Sequence, residues 1–277
     1  MTVADALREA RAANVERLDA QLLLARLLNR PRSWLLAHDD AVLDTAAAAA
    51  WHALLVRRAA GEPLAYLLGE KEFRGLMLKV DPRVLVPRPE TEHLVDWALE
   101  LLYGALHDRA APRVIDLGTG SGAIAIAVRH AHPAADMTAT DASEAALAVA
   151  RDNAQRLGLA IRFAAGSWWS AVPGAAEAGF DLALSNPPYI AERDPHLAAL
   201  NHEPAAALTP GGDGLGALRA IIAGAAQRLA PGGWLLVEHG FDQADAVQAL
   251  LRAHGFASIE TRADLAGQPR CSGGQRG

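Results

Sequence analysis

The chain has almost no cysteine and almost no lysine, and each shortage narrows what the protein can be. Cys271 is the only cysteine, so no disulfide can form within the chain and no cysteine cluster can hold zinc or an iron–sulfur centre. Lysine occurs only at Lys71 and Lys79, and the formal net charge is −6 at pH 7. This composition predicts no basic surface for tight, nonspecific binding of nucleic acid, and it suits a reducing cytoplasm.

Long hydrophobic runs are also missing, although 51% of the 277 residues are hydrophobic. Residues 1–29 alternate charged and apolar side chains at helical spacing, without the apolar centre of a signal peptide and without a membrane-length segment. The apolar side chains are therefore available for a buried core, and the length fits one large and one small domain. We expect a soluble cytoplasmic protein that does not enter a membrane.

The tetrapeptide Asn186-Pro187-Pro188-Tyr189 follows an apolar segment, residues 180–184, that is typical of a strand. The Asn186 side-chain oxygen and the Pro187 carbonyl can each accept one N–H. Two prolines stiffen the backbone that carries these acceptors, and Tyr189 offers a ring face to a flat group. An enzyme that alkylates an amide or aromatic amine must hold the NH2 rigidly, because the nitrogen lone pair is delocalised. The tetrapeptide predicts methyl transfer to such a nitrogen, although alone it also fits a proline-rich turn that ends a strand.

A glycine-rich turn, residues 118–122, lies between a strand-like segment and a helical run. Glycines let the backbone approach a ligand closely, and the following helix N-terminus presents unpaired N–H groups. A second strand-like segment ends in Asp141, at a distance from the turn that suits binding of ribose hydroxyls. The turn also fits the fingerprint of dinucleotide enzymes, so it does not separate NAD from S-adenosylmethionine. The tetrapeptide favours S-adenosylmethionine, because a nicotinamide enzyme has no use for two carbonyl acceptors beside an aromatic ring.

The apolar pattern divides the chain into three parts. Residues 1–70 have helical spacing, and residues 71–85 form a linker in which alternating apolar residues around Gly75 predict a β-hairpin. Residues 86–277 alternate strand and helix, which predicts an α/β fold with a doubly wound, mostly parallel sheet. Segments 257–261 and 270–272 are expected to pair as antiparallel strands at its edge. Ligands bind at the carboxyl ends of parallel strands, where the glycine turn, Asp141 and Asn186 all fall.

Three segments together carry a resemblance to a known family. Val86-Pro87-Arg88-Pro89-Glu90-Thr91-Glu92, the run from Asp116 to Gly122, and Asn-Pro-Pro-Tyr closely resemble the HemK-type release-factor glutamine methyltransferases. The resemblance covers nearly the whole chain, including the helical N-terminal domain and the strand end Val237-Glu238-His239-Gly240. It implies a class I S-adenosylmethionine-dependent methyltransferase with a Rossmann-like sheet. We expect the small helical N-terminal domain to dock the protein substrate, the alternative being a scaffold that only stabilises the fold.

The resemblance also implies the reaction and its residues. Methyl passes from S-adenosylmethionine to the side-chain amide nitrogen of the glutamine in the Gly-Gly-Gln motif of class 1 peptide chain release factors. Asn186, Pro187 and Tyr189 are then catalytic, and Pro188 joins them in holding the glutamine. Trp168, or the adjacent Trp169, lies beside the cofactor adenine. The cofactor-binding set is Gly118, Thr119, Gly120, Ser121, Gly122, Asp141, Trp168 and Asn186.

Four further residues have two interpretations each. In one interpretation, Arg88, Glu90 and Glu92 line the cofactor pocket or contact the substrate. In the other, they only form the start of a helix, in which Pro89 is the first residue and the carboxylates interact with the positive end of the helix dipole. Asp116 either hydrogen-bonds the cofactor amino group indirectly or only organises the glycine turn. Glu203-Pro204 and residues 211–214 resemble a rim loop without chemistry of its own.

Other substrates remain possible on the chemistry alone. The related enzyme that methylates a ribosomal-protein glutamine shares the tetrapeptide, but its upstream segment lacks the Arg-Pro-Glu-Thr-Glu run. Adenine-N6 methyltransferases of nucleic acid usually carry basic target-recognition regions, which this acidic chain lacks. Non-catalytic binding of a translation partner is a third hypothesis, against which the intact motifs argue. His196, His202 and His239 are interpreted as structural, no metal-ligand spacing or nucleophilic triad occurs, and we expect a monomer with no direct contact to nucleic acid.

The sequence also carries Gly273-Gly274-Gln275, the tripeptide that the implied substrate presents. We interpret it as a short tail beyond a final antiparallel strand. Such a strand ends at the edge of the sheet opposite the carboxyl-end site, and a few residues reach too short a distance to return. Gln275 is therefore not expected to reach Asn186 of its own chain.

Overall fold

The computed structural model describes residues 1–174 and 179–277, and these form two compact units, Met1–Glu70 and Lys71–Gly277. The first unit is helical, as predicted. Its core contains the fully buried side chains of Leu23, Leu24 and Trp51. Its helices are α1 (Val3–Ala12), α2 (Arg17–Leu28), α3 (Arg32–Ala37), α4 (Thr45–Ala59) and α5 (Leu64–Leu68).

The second unit is built on a seven-stranded sheet. Its strands are β3 (Arg113–Leu117), β4 (Asp136–Asp141), β5 (Arg162–Ala165), β6 (Phe180–Ser185), β7 (Leu229–Glu238), β8 (Phe256–Ala263) and β9 (Pro269–Arg276), in the spatial order β5-β4-β3-β6-β7-β9-β8. The strands β5, β4, β3, β6 and β7 are parallel, and β9 is antiparallel to both β7 and β8. The prediction of a mostly parallel Rossmann-like sheet with an antiparallel edge hairpin is confirmed.

Helices cover both faces of this sheet, because side chains along each central strand alternate between two apolar clusters. Val114 belongs to the cluster that includes α6 and α7, whereas its neighbour Ile115 belongs to the cluster that includes α10 and α11. Both side chains are fully buried. The helices are α6 (Glu92–Tyr103), α7 (Ala123–Ala131), α8 (Glu144–Arg156), α9 (Ala205–Leu208), α10 (Gly216–Arg228) and α11 (Ala244–Ala253).

None of the helices in residues 1–174 and 179–277 is long and apolar enough to cross a membrane. The longest, α4, has 15 residues, whereas a transmembrane helix needs about 20.

A two-stranded β-hairpin, β1 (Glu70–Phe73) and β2 (Leu76–Lys79), precedes the sheet. Phe73 and Leu78 are buried in the α6 and α7 cluster, so the hairpin is packed into the second unit. Asn153 on α8 fixes its last residue. The Lys79 N–H donates to Asn153 Oδ1 at 2.7 Å, and Asn153 Nδ2 donates to the Lys79 carbonyl at 3.0 Å. The same Nδ2 also donates to the Ser121 carbonyl at 2.9 Å, which ties the hairpin to the glycine turn.

The last strand corrects one expectation. The segment predicted at 270–272 continues as β9 to Arg276, so Gly273-Gly274-Gln275 lies inside the sheet and is not a tail. Gly273 pairs with Leu236 on one side and Glu260 on the other. A Cβ at Gly273 would lie 2.4 Å from Leu236 Cδ2 and 2.9 Å from Trp97 Cη2, so the strand needs glycine there to pack. Two adjacent glycines have low strand propensity, which concealed the strand in the sequence.

Candidate active site

A cavity of about 270 Å³ opens at the carboxyl ends of the parallel strands. Four of the loops that follow these strands line it, with residues 118–121 after β3, 141–143 after β4, 166–168 after β5, and Asn186 with Pro188 after β6. The segment before α6 and the loop around α9 contribute further wall residues, which include Arg88, Thr91 and Pro204. The structure therefore brings the glycine turn, Asp141, Trp168 and Asn186 to one cavity, as the topology predicted.

The glycine turn is pinned to the neighbouring strand and faces a tryptophan. The Gly118 and Thr119 N–H groups both donate to the Thr140 carbonyl, at 2.9 and 2.8 Å. Gly118 has φ of +73°, and a Cβ there would lie 3.1 Å from Trp168 Cζ3. Trp168 lines the cavity, whereas Trp169 is buried and donates from Nε1 to the Ile221 carbonyl at 2.8 Å. Of the two tryptophans, Trp168 is therefore the one available to a ligand.

Asp141 joins the turn to the cavity. Its Oδ2 accepts the Gly120 N–H at 2.9 Å, and its Oδ1 accepts the Ser143 N–H at 2.8 Å. Each carboxylate oxygen has further acceptor capacity beyond one bond. The carboxylate can therefore hold two hydroxyl groups of a ligand while it maintains the shape of the turn.

Asp116 lies beneath the turn and is fully buried. Its Oδ2 accepts the Thr119 hydroxyl at 2.6 Å and the Ala125 N–H at 3.2 Å, so the side chain organises the turn and the start of α7. Its Oδ1 is buried without a hydrogen-bond partner among the described residues. Burial raises the pKa of Asp116 to about 7, because the charged form loses hydration that two donors only partly replace.

Asn186 is held by a chain of hydrogen-bonded side chains that we call the amide network, which consists of Asn186, Thr91, Glu238 and Tyr189; Thr91 and Glu238 are buried, and Asn186 and Tyr189 are partly exposed. Asn186 Nδ2 donates to Thr91 Oγ1 at 3.0 Å, and Thr91 Oγ1 donates to Glu238 Oε2 at 2.7 Å. The Tyr189 hydroxyl donates to Glu238 Oε1 at 3.4 Å. Burial raises the pKa of Glu238 to about 7, and burial together with the Glu238 charge raises the pKa of Tyr189, so that its phenol stays protonated.

The four residues of the tetrapeptide have different positions. Asn186 and Pro188 line the cavity, whereas Pro187 and Tyr189 are not among the lining residues that the structure describes. The backbone on either side is fixed, since Ser185 Oγ donates to the Leu117 carbonyl at 2.6 Å and Gln243 Nε2 donates to the Tyr189 carbonyl at 2.9 Å. The role of the Tyr189 ring as a wall for a flat substrate stays a prediction.

The segment before α6 divides into cavity and helix residues. Arg88 lines the cavity and pairs with Glu203, whose other carboxylate oxygen accepts the Val86 N–H at 3.0 Å. The Glu203 side chain is only 2% exposed, so the rim loop is anchored by a buried charge. Glu92 begins α6 and accepts the Arg74 N–H at 3.2 Å, which fits the helix-start interpretation. Glu90 lies close enough to Glu238 for its charge to raise the pKa of that carboxyl.

Sequence reasoning assigned no role to Thr91, Glu238 or Asn153. Glu238 carried a usable signal, because it is an acidic residue at the carboxyl end of a parallel strand. Thr91 lies between Glu90 and Glu92 without a sequence signal of its own, and Asn153 lies inside α8, where no motif distinguishes it. His239 is buried, with Nε2 2.7 Å from Ser272 Oγ, and burial lowers its pKa, as a structural histidine requires. No group of three or more His, Cys, Asp or Glu that could hold a metal ion occurs in the described part of the chain.

Comparison with known proteins matches both units. The profile of the PrmC N-terminal domain matches residues 2–69, and the profile of the Methyltransferase small domain matches residues 91–215. The release factor glutamine methyltransferase of Bordetella pertussis is 55% identical over 93% of this chain and 94% of its own. The protein of the same name from Burkholderia pseudomallei is 50% identical over 96% of this chain and 94% of its own.

Solved structures share the fold at low sequence identity. The N-terminal domain of human METTL16 in complex with SAH has a TM-score of 0.55 at 19% identity, over 79% of this chain and 82% of that one. A methyltransferase from Pyrococcus furiosus has a TM-score of 0.52 at 18% identity, over 74% of this chain and 90% of that one. At these identities the likeness concerns the fold alone.

Proposed function

The chain belongs to the family of release factor glutamine methyltransferases, and we propose that it methylates the side-chain amide nitrogen of the glutamine in the Gly-Gly-Gln motif of class 1 peptide chain release factors, with S-adenosylmethionine as the methyl donor. The observation that carries the proposal is that Asn186 and the glycine turn line one cavity. An amide-binding group and a nucleotide-binding turn at the same cavity are what methyl transfer to glutamine needs.

The residues of the cavity fit S-adenosylmethionine. The Asp141 carboxylate has unused acceptor capacity for ribose hydroxyls, and Trp168 offers an aromatic face to adenine. The N-terminus of α7, where Ala123 and Ile124 line the cavity, is available for the carboxylate of the amino-acid end. When bound, S-adenosylmethionine supplies an electrophilic methyl group on a positively charged sulfur.

The contribution of the protein is positioning and electrostatics. Asn186 Oδ1 is proposed to accept one N–H of the glutamine amide, and the carbonyl of Pro187, which lies between the lining residues Asn186 and Pro188, the other. These bonds fix the plane of the amide and favour the positive charge that develops on nitrogen. The Tyr189 phenol stays protonated, so it is not a base. None is required, because the methylated amide loses its extra proton to water.

The N-terminal unit, residues 1–70, is proposed to dock the intact release factor, with residues 86–277 as the catalytic domain. The separate buried core of residues 1–70 and the match of residues 2–69 to the PrmC N-terminal domain support this assignment. The net charge of −6 supports a protein substrate and argues against nucleic acid. We further propose that the enzyme acts as a monomer in the cytoplasm, where release factors work.

The test is a competition between substrate classes. The protein is incubated with labelled S-adenosylmethionine and, separately, a purified class 1 release factor, ribosomal large-subunit protein and DNA. Label is expected only in the release factor, at the glutamine of Gly-Gly-Gln, and a factor with that glutamine replaced by alanine serves as the control. Label in the ribosomal protein or the DNA, with none in the release factor, would reject the assignment.

A further inference from the structure

We infer that Thr91 and Glu238 are positioning residues that determine which end of the Asn186 carboxamide faces the cavity, and that they thereby make the site select an amide over a carboxylate. The inference rests on the proposed function, because it concerns how the glutamine is distinguished from glutamate. It follows from the donors and acceptors of the amide network.

A carboxamide has two ends of nearly equal shape and opposite hydrogen-bonding character. If Asn186 presents Oδ1 to the cavity, it accepts an N–H of a glutamine amide. If it presents Nδ2, two donors face each other when glutamine binds, and a glutamate carboxylate becomes the better ligand. The orientation of Asn186 therefore decides which side chain the site accepts.

The network permits one orientation while Glu238 is ionised. A carboxylate only accepts hydrogen bonds, and Thr91 has a single O–H, so the 2.7 Å contact between Thr91 Oγ1 and Glu238 Oε2 commits that hydrogen to Glu238. Thr91 Oγ1 then has only lone pairs to offer Asn186. The 3.0 Å contact must come from Asn186 Nδ2, which leaves Oδ1 for the cavity.

Burial makes this constraint effective. Thr91 is 4% exposed and Glu238 is 1% exposed, so water has little access to replace a lost partner. An unsatisfied donor or acceptor in such a place is costly, and the flipped amide would oppose Asn186 Oδ1 to Thr91 Oγ1. Burial is the largest influence on Glu238 and raises its pKa to about 7, whereas the Thr91 hydroxyl, the positive charge of Arg270 and the Tyr189 hydroxyl lower it and the nearby Glu90 raises it further. The ionised form, and with it the constraint on Asn186, therefore prevails above about pH 7.

The experiment measures discrimination between two ligands. Intact release factor with Gly-Gly-Gln and the same factor with Gly-Gly-Glu are titrated against the enzyme in the presence of S-adenosylhomocysteine, which permits no reaction. The wild-type enzyme is expected to bind the glutamine form at least about 100-fold more tightly, because the carboxylate has no hydrogen for the two acceptors. Thr91→Val, which keeps the shape and removes the hydroxyl, should reduce this preference about 10-fold or more.

Two further variants separate positioning from packing. Thr91→Ser restores the hydroxyl and should restore the preference and kcat. Glu238→Gln replaces an obligate acceptor by a group that can also donate, so it should weaken the preference as well. Thr138→Val is the matched control, since Thr138 is also buried in the same unit but lies outside the amide network. Its preference should equal that of the wild type.

The outcomes distinguish the inference from the proposed function. A wild-type enzyme that does not methylate the release factor contradicts the function. A wild-type enzyme that methylates it, with a folded Thr91→Val variant of unchanged kcat and unchanged preference for glutamine over glutamate, overturns the inference alone. If Thr91→Val does not fold, Glu238→Gln gives the same test.

Discussion

The Gly120 N–H in the glycine turn donates a hydrogen bond of 2.9 Å to Asp141 Oδ2 at the end of β4. The carboxylate that is proposed to bind ribose hydroxyls therefore also shapes the turn beside it. The two parts of the cofactor site are not independent, and a change at Asp141 acts on both.

Asp141→Ala is expected to weaken the binding of S-adenosylmethionine by about 10- to 100-fold, because it removes a charged acceptor and releases the turn. Turnover at saturating cofactor should change less. Calorimetric titration with the cofactor measures the affinity. Asp152→Ala, at a half-exposed carboxylate on α8, is the control and should bind normally. An unchanged affinity in Asp141→Ala would count decisively against the ribose assignment.

Asn186→Ala should leave cofactor affinity nearly intact and lower kcat about 100-fold, because the substrate amide loses an acceptor and its alignment. Single-turnover kinetics with labelled cofactor and intact release factor measure the effect. Asn201→Ala, an exposed asparagine, is the matched control. Wild-type turnover in Asn186→Ala would exclude the proposed role.

Removal of residues 1–70 should raise KM for the intact release factor far more than for the cofactor, if this unit is a docking surface. A short peptide that contains Gly-Gly-Gln should show no such increase, since it offers nothing to dock. Kinetics with both substrates, after circular dichroism has shown that the shortened protein is folded, make the comparison. Unchanged kinetics on the intact factor would mean that the N-terminal unit only stabilises the protein.

Asp116 should make the wild-type protein less stable as the pH rises. Burial raises its pKa from the ordinary 3.8 to about 7, so its contribution to stability is present below about pH 4 and is lost as the pH approaches 7. Asp116→Asn removes this titration. Its free energy of unfolding relative to the wild type should therefore increase between about pH 4 and pH 7 and level off above that, by at most about 1.4 kcal/mol per unit of pKa shift.

Urea denaturation of both proteins at several pH values gives this difference. The contribution of Glu238, whose pKa is raised in the same way, is present in both proteins and cancels in the difference. Asp213→Asn is the control, because the pKa of Asp213 is shifted in the opposite direction to that of Asp116. The pKa of the exposed Asp213 is lowered to about 2 by its hydrogen bonds to Arg219, so its contribution does not change in this range. A difference for Asp116→Asn that is independent of pH would show that Asp116 is ionised throughout.

Gly273→Ala should destabilise the protein by about 1 to 3 kcal/mol, because the added methyl group has no space between Leu236 and Trp97. Gly277→Ala, where a Cβ meets nothing within 4 Å, should be neutral. Thermal denaturation measures both.

Mass spectrometry after incubation with S-adenosylmethionine should find no methyl group on Gln275, and a stoichiometric modification that is independent of protein concentration would contradict this expectation.

Much of the fold could be predicted, because the apolar pattern of the sequence and the topology rules for parallel sheets lead to the same arrangement. Strands such as 113–117 and 180–185 are short apolar segments between turn signals, and parallel connection fixes the edge at which Asp141 and Asn186 meet. The amide network could not be predicted in the same way. Thr91 and Glu238 are 147 positions apart in the sequence, and their contact depends on how α6 packs beside β7.

The continuation of the last strand from Ser272 to Arg276 escaped prediction for a related reason. Strands are predicted from alternating apolar side chains, and Gly273 and Gly274 have no side chains. Their suitability for the sheet lies in the space that Trp97 and Leu236 occupy, which is a property of the folded protein.

β9 lies between β7 and β8 in the sheet, so its backbone hydrogen bonds break less often than those of an edge strand. Amide protons in such a strand exchange with solvent only when a large part of the sheet separates. Slow hydrogen exchange is therefore expected at Gly274, and Gln275 has to leave its pairing with Trp234 and Ala257 before it can extend into the cavity of a second molecule. In this chain the Gly-Gly-Gln tripeptide is part of a strand paired on both sides, so backbone pairing has to break before its glutamine can act as a substrate.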